Sequence, residues 1–171
     1  DLATGLAAIH RPAIEQLALR TEPERQHPTL CELRGRITLP QFQRGTPPFR
    51  DDGLFASGPD GLPPLQREES APGSSYVPKQ AMPEAGYPLV LSIHGSGGYS
   101  DAAIAPLSDD GLQHFGLGPA ANLTEAGLAV GSMAMPLNPE RFPGAKEIEY
   151  LNPNNMAAMR DTFRQGQIEL R

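Results

Sequence analysis

Residues Leu89-Val90-Leu91-Ser92-Ile93 run directly into His94-Gly95-Ser96-Gly97-Gly98, and no other stretch constrains the fold as tightly. A short apolar run bounded by Pro88 on one side and glycines on the other reads as a buried strand. Its end is a turn, because glycine adopts backbone conformations that side chains exclude. Without side chains in the way, main-chain N–H groups can converge on one small acceptor, which is how developing charge on an acyl oxygen is stabilised. The chain contains no serine in a Gly-x-Ser-x-Gly context. It therefore lacks the strand-to-helix elbow that carries a nucleophile beside such a turn.

A second unit of regular structure follows. Pro119 to Ala126 reads as a helix, with proline in its first turn and Gly127 as its stop. Leu128 to Met133 reads as a second buried strand, ended by Pro136. Asn152-Pro153 caps a helix that runs to the end of the chain, with Met156, Met159, Phe163, Gly166 and Leu170 on a face that must pack against something apolar. Strand, helix, strand and helix in this order predict a βαβ unit and a parallel sheet.

The first half is less regular. Apolar residues from Leu2 to Leu19 recur at helical spacing, with Pro12 kinking or dividing the helix. Arg34 to Leu39 is a strand stopped by Pro40, and Asp51 to Pro72 is mostly surface loop with one short strand near Leu65. Ser75 to Pro78 is a short extended piece, and Asp101 to Gly118 a long polar loop. These elements divide the chain into a helical extension over 1–30 and, over 31–171, the N-terminal portion of an α/β domain to be completed by a missing or separate C-terminal chain.

Composition narrows the function classes. The net charge of −6, from 14 basic and 20 acidic residues, disfavours nucleic-acid partners. No run is long enough for a membrane-spanning helix. A start at Asp1, not Met, suggests loss of something upstream; a secretory leader is the commonest such loss, which makes a secreted or periplasmic location the expectation, though a cut made there for another reason would look the same. Cys31, the single cysteine, is read as an inert thiol or as a bridge to another chain. His10, His27 and His114 lack metal-ligand spacing, as do the pairs Asp51-Asp52 and Asp109-Asp110, so neither metal nor cofactor is expected. Gly116-Leu117-Gly118-Pro119-Ala120-Ala121 fits G-x-G-x-x-A but follows no strand.

An ordered set of short motifs carries a resemblance. It comprises Leu39-Pro40-Gln41-Phe42-Gln43-Arg44-Gly45, Tyr76-Val77-Pro78-Lys79, Gly86-Tyr87-Pro88 with the strand and His94 to Gly98, and Glu125-Ala126-Gly127-Leu128-Ala129-Val130. Pro136-Leu137 with Arg141, then Asn154-Asn155, Ala158, Arg160-Asp161 and Arg164-Gln165, complete it. Together they resemble bacterial secreted esterases and lipases of the α/β-hydrolase fold, most of all the extracellular lipase group with a His-Gly-Thr-Gly-Gly turn. Asn138 and Pro139 depart from that group's pattern, which has histidine and then glycine there.

The resemblance implies the N-terminal portion of a mostly parallel α/β-hydrolase sheet, completed by a separate C-terminal piece. It implies a serine carboxylic-ester hydrolase whose oxyanion donors include the Ser96 and Gly97 backbone N–H groups. His94, Gly95 and Gly98 would support the loop; Tyr99, beside the turn in sequence, is read either as lining the substrate pocket or as a packing residue. The nucleophile, acid and histidine would lie on a downstream fragment of the same precursor, cut after Arg171. That fragment would cover the stripe from Met156 to Leu170. The alternative is a non-catalytic binding or structural piece of the same fold, with 94–98 no more than a tight strand-to-loop turn.

Overall fold

The computed structural model describes residues 13–106 and 111–171. They form strands β1 (Ala13–Leu19), β2 (Leu30–Gln41), β3 (Arg67–Pro78), β4 (Leu89–Ser92) and β5 (Ala129–Met133), with helices α1 (Pro119–Glu125) and α2 (Met156–Glu169). The class is mixed α and β. One sheet carries the five strands in the order β1-β2-β3-β5-β4. The chain divides into two compact units, one of residues 15–36 and 72–134, the other of 1–14, 37–71 and 135–171.

The expectation of a mostly parallel sheet is corrected: the sheet is mostly antiparallel. β3 runs antiparallel to β5, with Gly73 opposite Met133 and Tyr76 opposite Val130. The β4 and β5 pair is parallel, with Leu89 opposite Ala129 and Ser92 opposite Ser132. The reason lies in the connections. A crossover long enough to hold α1 joins β4 to β5 and allows parallel pairing. β3 is a long strand that the loop reading of Asp51 to Pro72 leaves out, and its antiparallel ladder shifts the balance.

The unit holding β4 and β5 has its core on one sheet face. Tyr76, Val130, Leu30, Ile104, Ala120 and Ala121 are buried, with Val90, Phe115 and Leu123 packed against them. α1 lies on β5. Proline occupies the first turn of α1, and Thr124 returns its hydroxyl to the Ala120 and Ala121 carbonyls at 2.8 and 2.9 Å. Gly118 is required just before it, since a Cβ there would fall 2.2 Å from the Ala103 carbonyl oxygen. On the opposite face Leu89, Leu91 and Ile93 remain exposed.

Residues 13–19 correct the helix expected from Leu2 to Leu19: they form β1, and residues 1–12 lie outside the described residues. All seven β1 residues are exposed, so no apolar face rewards a helix there, and pairing with β2 satisfies the main chain instead. Pro40 does not stop β2, which continues to Gln41. Proline is tolerated near a strand end, where a missing donor costs little.

In the other unit, α2 forms as expected, but its buried face differs. Of the expected stripe, Gly166 is buried and Met159 and Leu170 are half-buried, but Met156 and Phe163 are exposed, while Ala158, Asp161, Thr162, Gln165, Ile168 and Glu169 are buried. The polar members of that face bind main chain. Asn155 caps the helix by accepting from the Ala158 N–H, and its Nδ2 donates to the Phe49 and Asp52 carbonyls at 3.0 and 2.7 Å. Gln165 Oε1 accepts from the Phe42 N–H at 3.1 Å, and its Nε2 donates to the Pro40 carbonyl at 2.7 Å. Gln43 Nε2 reaches Gly53 O at 2.8 Å and Thr162 Oγ1 at 3.1 Å. Arg141 is buried between Glu169, at 2.6 and 3.0 Å, and Glu69, at 3.0 Å. Burial opposes its charge, but the two carboxylates more than compensate and raise its pKa.

Asp161 accepts from the Phe55 N–H at 3.0 Å and is paired with Arg160 at 2.8 Å and Arg164 at 3.1 Å. Burial disfavours its ionised form, yet Arg160, the Phe55 N–H and Arg164 outweigh burial and hold the carboxyl below its ordinary value. Its folded pKa therefore lies below the unfolded one, so its contribution is complete above the unfolded value and fades as pH falls through the folded value. Asp161→Asn is expected to cost roughly 1.5–3 kcal/mol at pH 7. Urea unfolding of both proteins should show the gap narrowing below about pH 4; a gap that does not change with pH would contradict this.

Candidate functional site

The glycine turn leaves the carboxyl end of β4. Gly98 N–H donates to the Gly95 carbonyl at 3.1 Å and closes a four-residue turn with Ser96 and Gly97 at its centre. Gly97 has φ +71°, the conformation a type II turn demands at its third position. Gly98 is needed for a different reason: an added Cβ would sit 2.7 Å from His94 Cβ and 3.1 Å from the Gly95 oxygen. Gly95 faces open space.

The expected site residues are thus brought together by local structure. Ser96 is at the exposed tip, Gly97 follows half-buried, and no acceptor for the Gly97 N–H is present among the described residues. His94 packs against Gly98, and its Nδ1 lies 2.9 Å from the Gly95 oxygen. That contact sets the imidazole against the turn's own main chain. Tyr99 is half-buried, and its carbonyl accepts from the Ala102 N–H at 3.0 Å.

The downstream stem of the turn is anchored by a polar cluster. Ser132 Oγ on β5 donates to the Ser100 carbonyl at 2.5 Å, and Arg34 Nη2 donates to Ser100 Oγ at 3.0 Å. Asp101, nearly buried, accepts from Gln113 Nε2 at 3.0 Å and from Arg25 Nη2 at 3.3 Å, with Arg34 Nη2 3.9 Å away. Its own carbonyl accepts from the Ile104 and Ala105 N–H groups at 3.0 and 2.9 Å. Arg25 also grips the fully buried Glu32 carboxylate in a two-pronged pair and lies 4.5 Å over the Phe115 ring. Burial, then the nearby Glu32 and Asp101 carboxylates, push the Tyr76 phenol far above its ordinary pKa, so it remains protonated. Sequence inspection misses this cluster, since Arg25, Glu32 and Arg34 look like solvated charges until β2 and the 3-10 turn Pro23–Arg25 before it bring them beside Asp101.

The remaining candidates are placed as follows. His27 Nδ1 lies 3.0 Å from Thr29 Oγ1, and its ring meets Phe115 edge-on, so it packs within the core's rim. Cys31 is a half-buried free thiol lining a cavity of about 280 Å³ with Arg20, Thr21, Gln26 and Lys79. Asp52 pairs with Arg44 at 3.1 Å. His10 and the Asp109-Asp110 pair lie outside the described residues. Among the described residues, no group of three His, Cys, Asp or Glu side chains is arranged to hold a metal ion, and no helix is long and apolar enough to cross a membrane. No protein-family model, curated protein or solved structure matches the chain.

The packing of His94 on Gly98 separates two glycines that look equivalent in sequence. Gly98→Ala is expected to destabilise the protein by about 1–3 kcal/mol through overpacking. Gly95→Ala is expected to stay within about 0.5 kcal/mol. Chemical denaturation of the two variants checks this, and equal losses would contradict it.

Proposed function

We propose that this chain supplies the oxyanion turn and the first strands of a secreted or periplasmic serine carboxylic-ester hydrolase of the α/β-hydrolase type, esterase- or lipase-like. The observation that carries the reading is the position of the turn. It sits at the carboxyl end of β4, in a parallel β4-α1-β5 unit, with Gly97 forced into a left-handed conformation that leaves its N–H open. Open α/β sheets place their ligands beyond the carboxyl ends of parallel strands.

In this reading a serine hydroxyl attacks the ester carbonyl, and the tetrahedral oxyanion is received by the Ser96 and Gly97 N–H groups. Collapse expels the alcohol and leaves an acyl-enzyme, which water then hydrolyses. One such donor is worth about 3 kcal/mol in the transition state. Ser96 itself lies at the tip of a turn, without the elbow that activates a nucleophilic hydroxyl.

The nucleophile, its acid and its histidine are assigned to a downstream segment of the same precursor. β4 ends the sheet order, and Leu89, Leu91 and Ile93 are exposed beside it. An edge strand with apolar neighbours is a template for a further strand. A strand added parallel to β4 would deliver its carboxyl end, and an elbow following it, next to the turn.

Two assays test the reading. Residues 1–171 alone should leave p-nitrophenyl acetate hydrolysis at background. Turnover by this chain alone would put the nucleophile inside it and overturn the assignment. In the complete enzyme, Gly98→Ala should lower kcat by about 10²–10³-fold with KM nearly unchanged, as expected when overpacking against His94 swings the Ser96 and Gly97 N–H groups off the oxyanion. A normal kcat would contradict it.

A further inference from the structure

The 94–98 turn spans two fixed points, and a single residue touches both. Upstream, Ser92 closes β4 and is the strand partner of Ser132 on β5. Downstream, Ser132 Oγ donates to the Ser100 carbonyl at 2.5 Å. Ser132 thus stands between the residue two before His94 and the residue two after Gly98. Its outer neighbours reinforce the downstream point: Arg34 bonds Ser100 Oγ at 3.0 Å, and Arg25 and Gln113 bond Asp101. Within the turn the Gly98 N–H donates to the Gly95 carbonyl, and His94 Nδ1 lies 2.9 Å from the same oxygen. Fixing the separation of the two ends steadies a loop of such small side chains.

We propose that Ser132 is a positioning residue for the oxyanion turn, joining the two ends of the 94–98 loop through its strand pairing with Ser92 and its hydroxyl bond to Ser100. The proposal rests on reading that turn as the oxyanion donor. Catalysis by such a turn depends on donors already aimed before charge develops, so a staple across its base acts on the reaction without touching substrate.

The test is Ser132→Ala in the complete enzyme, which keeps the β5 ladder and removes only the hydroxyl. Hydrogen–deuterium exchange of peptides covering 94–101 should accelerate about fivefold, the equivalent of one lost hydrogen bond, while exchange in α2 is unchanged. Turnover of p-nitrophenyl acetate should fall in kcat with KM preserved, and Ser132→Thr, which restores a hydroxyl, should recover both readouts. If the alanine variant does not fold, Ser132→Cys gives the same readout, since a thiol is a similar shape and a weak donor. Unchanged exchange over 94–101 overturns the proposal whatever the activity. Faster exchange supports the staple irrespective of turnover, and an unaltered kcat then counts against the oxyanion reading alone.

Discussion

Side-chain hydrogen bonds to main chain are what the rest of this structure depends on. Glycine and proline make up about a fifth of the residues, so long stretches have no ladder or helix to satisfy their backbone groups. Each buried group left unpaired costs about 1–3 kcal/mol. Asn155, Gln165, Gln43 and Asp161 take up that role for residues 40–55, and Ser132 and Gln113 take it up at Ser100 and Ala105. Apolar packing alone would leave both loops without a defined path. Amides and hydroxyls on α2 and β5 define it.

The same device bears on how a five-residue turn of mostly small side chains keeps a defined shape. Gly97 and Gly98 surrender side-chain packing, one to reach a left-handed conformation and the other to let His94 lie against the main chain. Rigidity then has to come from outside the turn. It comes from the β4 ladder on one side and from Ser100 and Asp101 on the other, backed by the charges of Arg25, Glu32 and Arg34. Those charges are shielded from water, so their geometry is held more firmly than that of surface pairs such as Arg50 with Glu149.

Legibility in the sequence follows the kind of signal each element carries. β4, α1 and β5 are marked by apolar runs and by Pro119 and Gly127, and all three are found within a residue or two of their expected bounds. The turn is legible because only glycines meet its backbone demands. β3 is hidden in its first half: Arg67, Glu68, Glu69, Ser70 and Pro72 read as loop, and it is the strand's place between β2 and β5, with the Arg67–Glu69 and Arg141–Glu69 contacts, that makes them strand. β1 is hidden by the opposite error, since Ile14 and Leu17 keep helical spacing yet lie exposed on a sheet edge. The motif Asn155, Ala158, Asp161 and Gln165 is visible as a pattern, but spacing alone suggests an apolar stripe beside it and says nothing of the loop those side chains hold. The Ser92–Ser132–Ser100 staple joins residues with no sequence signal linking them, and only the strand register brings them together.

The central proposal is that this chain supplies an oxyanion turn to a nucleophile carried elsewhere in a serine hydrolase. Labelling the full protein with a fluorophosphonate, followed by mass spectrometry of its peptides, measures this most directly. The label is expected on one serine in a Gly-x-Ser-x-Gly context outside residues 1–171, with labelling slowed by Gly98→Ala. A label on Ser96, or on any other serine within residues 1–171, would contradict it.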